Sequence, residues 1–397
     1  MTEGPSPSLV VTEEVRTRWA AVIAVAVGAF TLVISEFLPV GLLPEIASDL
    51  GVSDGQAGLM ITGPGVLAAV AAPIVTVLGA RLDRRTLLIG LGVILFTSNV
   101  IAVCASNFAI MIVARALLGV AVGGFWAAGV SVAPRLARPA DLAKATAVIS
   151  SGITIATVVS LPIGPMLASA AGWRAAFMVG AGLGLLAVLI QVVALPAMPA
   201  HSSSAVRALG AAVATTSARV GMLASAVIFF GHFAAYTYLV PYLHDAELPP
   251  QWLTVCLLAY GVAGIAGTVL AGITAGRALK ATTVVVTAIM VVAILALSRV
   301  EPGTFAAVAL VSLWGMAWGG VPVFTQVWML RALGSQAEGG FALVVTASQA
   351  ALAMGSLAGG LIVDHAGVRA AFAVGAVTAA VGVIATATAR APRLIED

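Results

Sequence analysis

The chain has 397 residues, of which 61% are hydrophobic and only 9% charged, and its formal net charge is +3. That balance lies far outside the soluble globular range, and the small positive charge carries no message about nucleic acid. Apolar runs of 18 or more residues recur between short polar breaks, and no alternating ten-residue pattern marks an outer-membrane barrel.

In chain order, the first 18 residues are polar, with Glu13, Glu14, Arg16 and Arg18 before the first apolar run. They do not form a secretory signal, so the first span is expected to stay in the mature protein. Membrane helices are predicted at about 19–44, 55–79, 87–105, 108–132, 143–168, 175–195, 219–243, 252–274, 281–299, 303–329, 338–362 and 369–389. With the N-terminus inside, fifteen of the 19 basic residues fall in cytoplasmic segments. Arg174, Arg299 and Arg369 fall outside, and Arg115 is left within a span. The positive-inside rule thus supports twelve spans with both ends cytoplasmic. The expected organisation is a tail at 1–18, a helical bundle at 19–195, a cytoplasmic linker at 196–218, a second bundle at 219–389 and a tail at 390–397. Cys104 and Cys256 fall in apolar spans of different halves, and read as small buried hydrophobes with no disulfide or metal role.

The two bundles repeat each other. Gly172-Trp173-Arg174-Ala175-Ala176-Phe177 returns as Gly367-Val368-Arg369-Ala370-Ala371-Phe372, and Gly119, Gly123 and Gly124 return as Gly315, Gly319 and Gly320. Two similar six-helix halves point to an all-α membrane protein, pseudo-symmetric, in which one bundle rocks against the other. No extramembrane segment is long enough to fold alone, and neither Lys144 nor Lys280 follows a phosphate-cradling glycine loop. No cofactor is expected, and the energy for transport should come from an ion gradient.

Glu36 is the acidic residue deep within a span and Arg115 the basic one. Intramembrane charges are costly and mark pathways or proton relays. Each sits eight residues from the same face, so an ion pair is expected, with burial and pairing competing over the proton on Glu36. His232 is a third candidate for proton traffic.

Gly79-Ala80-Arg81-Leu82-Asp83-Arg84-Arg85 resembles the signature loop of the major facilitator superfamily, with Gly79, Asp83 and Arg84 matching and a later glycine missing. Arg115 followed by Gly119, Gly123 and Gly124 resembles the superfamily's fourth-span motif. Ser160-Leu161-Pro162-Ile163-Gly164-Pro165 resembles a degenerate form of the fifth-span motif of drug and metabolite:proton antiporters, resting on Pro162 and Gly164. Ser35-Glu36-Phe37-Leu38-Pro39-Val40, Gly123-Gly124-Phe125-Trp126 and Leu313-Trp314-Gly315-Met316-Ala317-Trp318 are similar to bacterial purine ribonucleoside efflux permeases. Chloramphenicol-type drug exporters and sugar exporters share parts of the pattern.

The resemblance implies a twelve-helix major facilitator fold with its site between the halves, a cytoplasmic latch through Asp83, and proton-coupled export. The implied partners are a small-molecule substrate, protons and membrane lipid, with no nucleic acid, acting as a monomer in the bacterial cytoplasmic membrane. The spans that line the central path in this fold carry Phe37, Trp126, Tyr236, Tyr238, Trp314, Trp318 and Gln326 as substrate-binding candidates. Asn99, Gln349 and Asp364 have no assigned role, and Asp364 is expected to be solvated. An enzyme would cluster His, Asp or Cys within its spans, and a sensor would carry an output domain.

Overall fold

Every regular element among the described residues is helical. The computed structural model describes residues 17–129, 132–199, 210, 213–299, 303–334, 337–390 and 392. The helices are α1 (Trp19–Leu50), α2 (Asp54–Ala57), α3 (Leu59–Leu78), α4 (Arg84–Val103), α5 (Phe108–Ala128), α6 (Ala133–Leu136), α7 (Leu142–Ala171) and α8 (Trp173–Ala194). The second half has α9 (Thr216–Tyr236), α10 (Leu239–Asp245), α11 (Pro250–Arg299), α12 (Thr304–Leu333), α13 (Ala337–Ala366) and α14 (Val368–Thr388). Most of both expected tails and about half of the linker lie outside the described residues.

Eleven of these helices or helix pairs are long and apolar enough to cross a membrane. The sequence predicts twelve spans, and the difference lies in α11. It has 50 residues, with non-helical geometry at Ala278 (φ −141°, ψ 50°). At 1.5 Å per residue it would extend about 75 Å, against a hydrocarbon core of about 30 Å. It is therefore two crossings joined at a break, matching the runs at 252–274 and 281–299. Helix α1 runs to Leu50 rather than stopping near 44, where Gly51 closes it in the left-handed region (φ 66°). Cys104 is exposed just past the end of α4, contrary to its expected burial, whereas Cys256 is buried.

The repeat is structural. A methyl on Gly119 would strike the carbonyl of Pro64, and one on Gly123 that of Ala68, so α5 and α3 touch backbone to backbone. Gly315 and Gly319 bring α12 equally close to the carbonyls of Tyr260 and Gly264. Small residues are what permit such approach where water supplies no driving force. Arg174, at the start of α8, reaches Asp49 on α1 at 2.9 Å, and Arg369, at the start of α14, reaches Asp245 on α10 at 3.6 Å.

Arg18, Arg138, Asp83 and Met198 gather at one face of the bundle, here the terminal face; Asp49, Arg174, Ser53 and Asp364 gather at the opposite face. The halves are tied at that opposite face. The Ser53 hydroxyl donates to Asp364 (2.7 Å), as does the N–H of Gly55 (3.0 Å). The Ser356 hydroxyl donates to the Gly58 carbonyl at 3.3 Å. Asp364 is thus bonded across the halves rather than simply solvated.

A cavity between the halves and its buried charges

Proline explains the buried arginine. Pro39 in α1 and Pro64 in α3 have no N–H, which frees the carbonyls of Ser35 and Met60 one turn earlier. Arg115 on α5, 1% exposed, supplies what is missing. Its Nη1 donates to the Ser35 carbonyl at 2.7 Å, its Nε to the Met60 carbonyl at 2.9 Å and its Nη2 to the Glu36 carbonyl at 2.9 Å. The ion pair with the Glu36 side chain expected from matched depth is not among the ion pairs of the described residues. Main-chain oxygens hold the guanidinium instead, although the two charges still interact through space. The Glu36 carboxylate accepts from Gln349 Nε2 on α13 at 3.1 Å, a bond between halves.

Glu36 and Gln349 are two walls of a cavity of about 390 Å³ between the bundles, within the range of small-molecule sites. Its aromatic lining comprises Phe37, Trp126, Phe229, Phe233, Tyr260, Trp318 and Phe341, and its polar lining includes Gln326, Thr154, Thr157, Thr268, Thr325 and Ser348. The described residues that line it include a carboxylate and no cation. It extends from mid-bundle, at Glu36 and Tyr260, toward Ser150 and Phe341 near the terminal-face ends of α7 and α13. Toward the opposite face, Phe37 stacks on Phe233 across the halves (centroids 6.2 Å apart, 12° between planes) and meets the edge of Tyr236.

Of the sequence candidates, Glu36, Phe37, Trp126, Trp318 and Gln326 line this cavity. The others lie behind or away from it. Trp314 is fully buried and donates its indole N–H to His232 Nδ1 at 3.0 Å. Because an indole only donates, that nitrogen must be an acceptor, which fits a neutral imidazole. The His232 ring stacks on Trp318 at 3.5 Å between centroids, with Tyr236 at 4.9 Å. Tyr238 does not line the cavity. Its hydroxyl donates to the Ser356 carbonyl (2.9 Å) beside Gly58, within the opposite-face seam. Pro162 and Gly164 lie on α7, and a methyl on Gly164 would stand 3.1 Å from Leu42 Cγ on α1, so this motif packs helices together.

The Major Facilitator Superfamily model matches residues 25–349. The chain belongs to that superfamily. It is 35% identical to the Transcription regulatory protein OpdE of Pseudomonas aeruginosa, covering 94% of this chain and 95% of that protein. It is 33% identical to the Purine ribonucleoside efflux pump NepI of Escherichia coli K12, covering 89% of each. Among solved structures, a bacterial homologue of the human lysosomal transporter Spinster, inward-facing and occupied, aligns with a TM-score of 0.77 at 15% identity. It covers 96% of this chain and 97% of that one. The human organic anion transporter MFSD10 aligns with a TM-score of 0.70 at 17% identity, covering 93% and 99%. This is a membrane-transporter fold, not an enzyme's.

In this superfamily member the signature loop is folded inward on its own half. Gly79 opens a single turn, Gly79–Arg81, and Asp83 caps α4 by accepting from the N–H groups of Arg85 (2.8 Å) and Thr86 (3.3 Å). Its second oxygen accepts from the N–H of Met198 at 2.7 Å, while the Arg84 N–H donates to the Met198 carbonyl at 3.0 Å. Asp83 therefore ties the chain leaving α8 to the start of α4 through main-chain N–H groups. Gln349, Phe233 and Tyr260 are lining residues missed in the sequence. Phe233 was findable, because it is the repeat partner of Phe37.

Proposed function

We propose that this transporter exports a small, planar, uncharged solute in exchange for protons, with purine ribonucleosides as the first substrate class. The observation that carries the reading is the Glu36 carboxylate, 6% exposed, in the wall of an aromatic-lined cavity between two halves. An ionisable group at membrane depth, open to a cavity, is where a proton is taken up and released. Aromatic rings offer stacking faces, and carboxylate, amides and hydroxyls offer edge contacts to a heterocycle. The name of the Escherichia coli relative, a purine ribonucleoside efflux pump, supports the nucleoside class.

In the mechanism proposed, the terminal face, rich in arginine, is cytoplasmic in a bacterial inner membrane, and the bundles at 19–195 and 219–389 move as units within one monomer. The cavity loads from the terminal face while the opposite-face seam is shut. After the halves rock, Glu36 takes a proton from outside, its attraction to the Arg115 charge weakens, and solute leaves. Return of the protonated carrier delivers that proton to the cytoplasm. His232, held as an acceptor by Trp314, is not used as a proton carrier here.

The test is internal pH in proteoliposomes on addition of inosine, then chloramphenicol, with wild type and Glu36→Gln. Inosine-driven proton movement that vanishes in the variant supports the proposal; movement with chloramphenicol alone assigns drug export instead, and a sugar panel tests the third exporter class. A non-transporting membrane regulator is the second reading, favoured by the name of the Pseudomonas relative, a transcription regulatory protein. Silence toward all three panels, with gene-expression changes on deletion in the host, would favour it.

A further inference from the structure

Resting on the reading of Glu36 as the proton site, we propose that Gln349 is the positioning residue through which the second half reads the state of that carboxyl. Glu36 belongs to α1 of the first half and Gln349 to α13 of the second, and Gln349 Nε2 donates to Glu36 Oε1 at 3.1 Å. Both side chains are 6% exposed and both line the cavity. The nearest permanent charge is not available for this task, since Arg115 spends its Nε, Nη1 and Nη2 on the carbonyls of Met60, Ser35 and Glu36. Trp126 of the first half also hydrogen-bonds the carboxylate, and Gln349 is its donor from across the interface.

A buried carboxylate needs a donor, and a hydrogen bond to an ionised group is about twice as strong as one between neutral groups. Beside Trp126, the Gln349 amide helps to fill that need and thereby fastens α13 to α1 at mid-bundle. A substrate N–H brought to Glu36 takes over the role, and the amide is released. A proton on Glu36 removes the charge that made the bond strong. Either event loosens the same cross-half contact, so binding of solute and binding of proton act on the rocking equilibrium through one amide. Gln349 holds the place of a substrate N–H donor, which restricts the substrate class to solutes presenting one.

The test needs no substrate to begin. Infrared difference spectra between acid and neutral pH are recorded on purified wild type, Glu36→Gln, Gln349→Leu and Gln349→His. A protonated-carboxyl band absent from Glu36→Gln assigns the band to Glu36; if no band is lost, the reading of Glu36 fails and this inference with it. Given that band, its frequency and acid midpoint shift in Gln349→Leu, and Gln349→His, which keeps a donor, restores part of the shift. A band unmoved by Gln349→Leu overturns the inference and leaves Glu36 standing. In vesicles, proton-gradient-driven inosine movement by Gln349→Leu falls about tenfold, the size of one hydrogen bond to a charged group. Exchange of labelled for unlabelled inosine falls less than twofold. Equal losses in both modes, unrelieved by histidine, would mean a packing role alone.

Discussion

The two halves of this transporter share a scaffold and differ in chemistry, and an offset of 196 residues lines up most of their counterparts, narrowing to 195 at Arg174 and Arg369. Gly119 and Gly315, Gly123 and Gly319, and Asp49 and Asp245 do the same work in each half. Phe37 and Phe233 stand at that offset too, and they stack on each other, as residues beside a pseudo-twofold axis do. The divergence is concentrated around one arginine. Pro39, Pro64 and Arg115 of the first half correspond to Ala235, Tyr260 and Val311 of the second. Where prolines free carbonyls, a buried arginine answers them; where the helices keep their own bonds, valine suffices. Glu36 corresponds to His232, so the half with the arginine carries the acid and the other carries a neutral ring bonded to Trp314.

The sharpest way to break this comparison is Arg115→Leu. It strands two carbonyls, each costing about 1–3 kcal/mol when buried without a donor. A large loss of thermal stability in detergent is expected, whereas Val311→Leu, one methylene added at a buried position, should cost about 1–3 kcal/mol. Restoring the N–H groups with Pro39→Ala and Pro64→Ala in the Arg115→Leu background should recover part of the loss. No recovery would separate the arginine from the prolines.

Next in size, Gly119→Ala and Gly315→Ala should each cost about 1–3 kcal/mol, and by similar amounts, because each methyl meets a carbonyl of the facing helix. Unequal costs in thermal melts would show that the seams only look alike. His232→Phe removes the acceptor of the Trp314 indole and should cost about 1–3 kcal/mol, read in the same melts.

A smaller effect is expected at the faces. Asp364→Ala cuts the hydrogen bonds from Ser53 and Gly55 and should raise opposite-face labelling of a cavity cysteine about tenfold, the size of one charge-assisted bond. The reporter needs Cys104 and Cys256 replaced first. Asp83→Ala, whose bonds stay within its own half, should leave that labelling within about twofold. Smallest of all, Arg174→Gln and Arg369→Gln break ion pairs at partly exposed positions and should each cost about 1 kcal/mol or less.

The repeat, the helix count and the membrane class were legible in the sequence because apolar length and glycine spacing are local signals. Glu36, Phe37, Trp126, Trp318 and Gln326 were legible as lining residues because polar or aromatic groups in apolar runs stand out. The partners of Arg115 were misjudged, since depth along two helices says nothing about lateral packing, although Pro39 and Pro64 held the missing clue. Gln349 and Asp364 were left without roles because their partners are some 310 residues away in sequence. Tyr238 shares the span of His232, but α9 ends at Tyr236 and the chain turns before α10, carrying Tyr238 to the seam.

The lining of the cavity includes an acid and no base among its described residues. A phosphorylated solute would bring about two negative charges beside that carboxylate with nothing there to offset them. On the export reading proposed above, a kinase in the cytoplasm would work as a retention mark: the free compound leaves, and its phosphate ester stays in the cell.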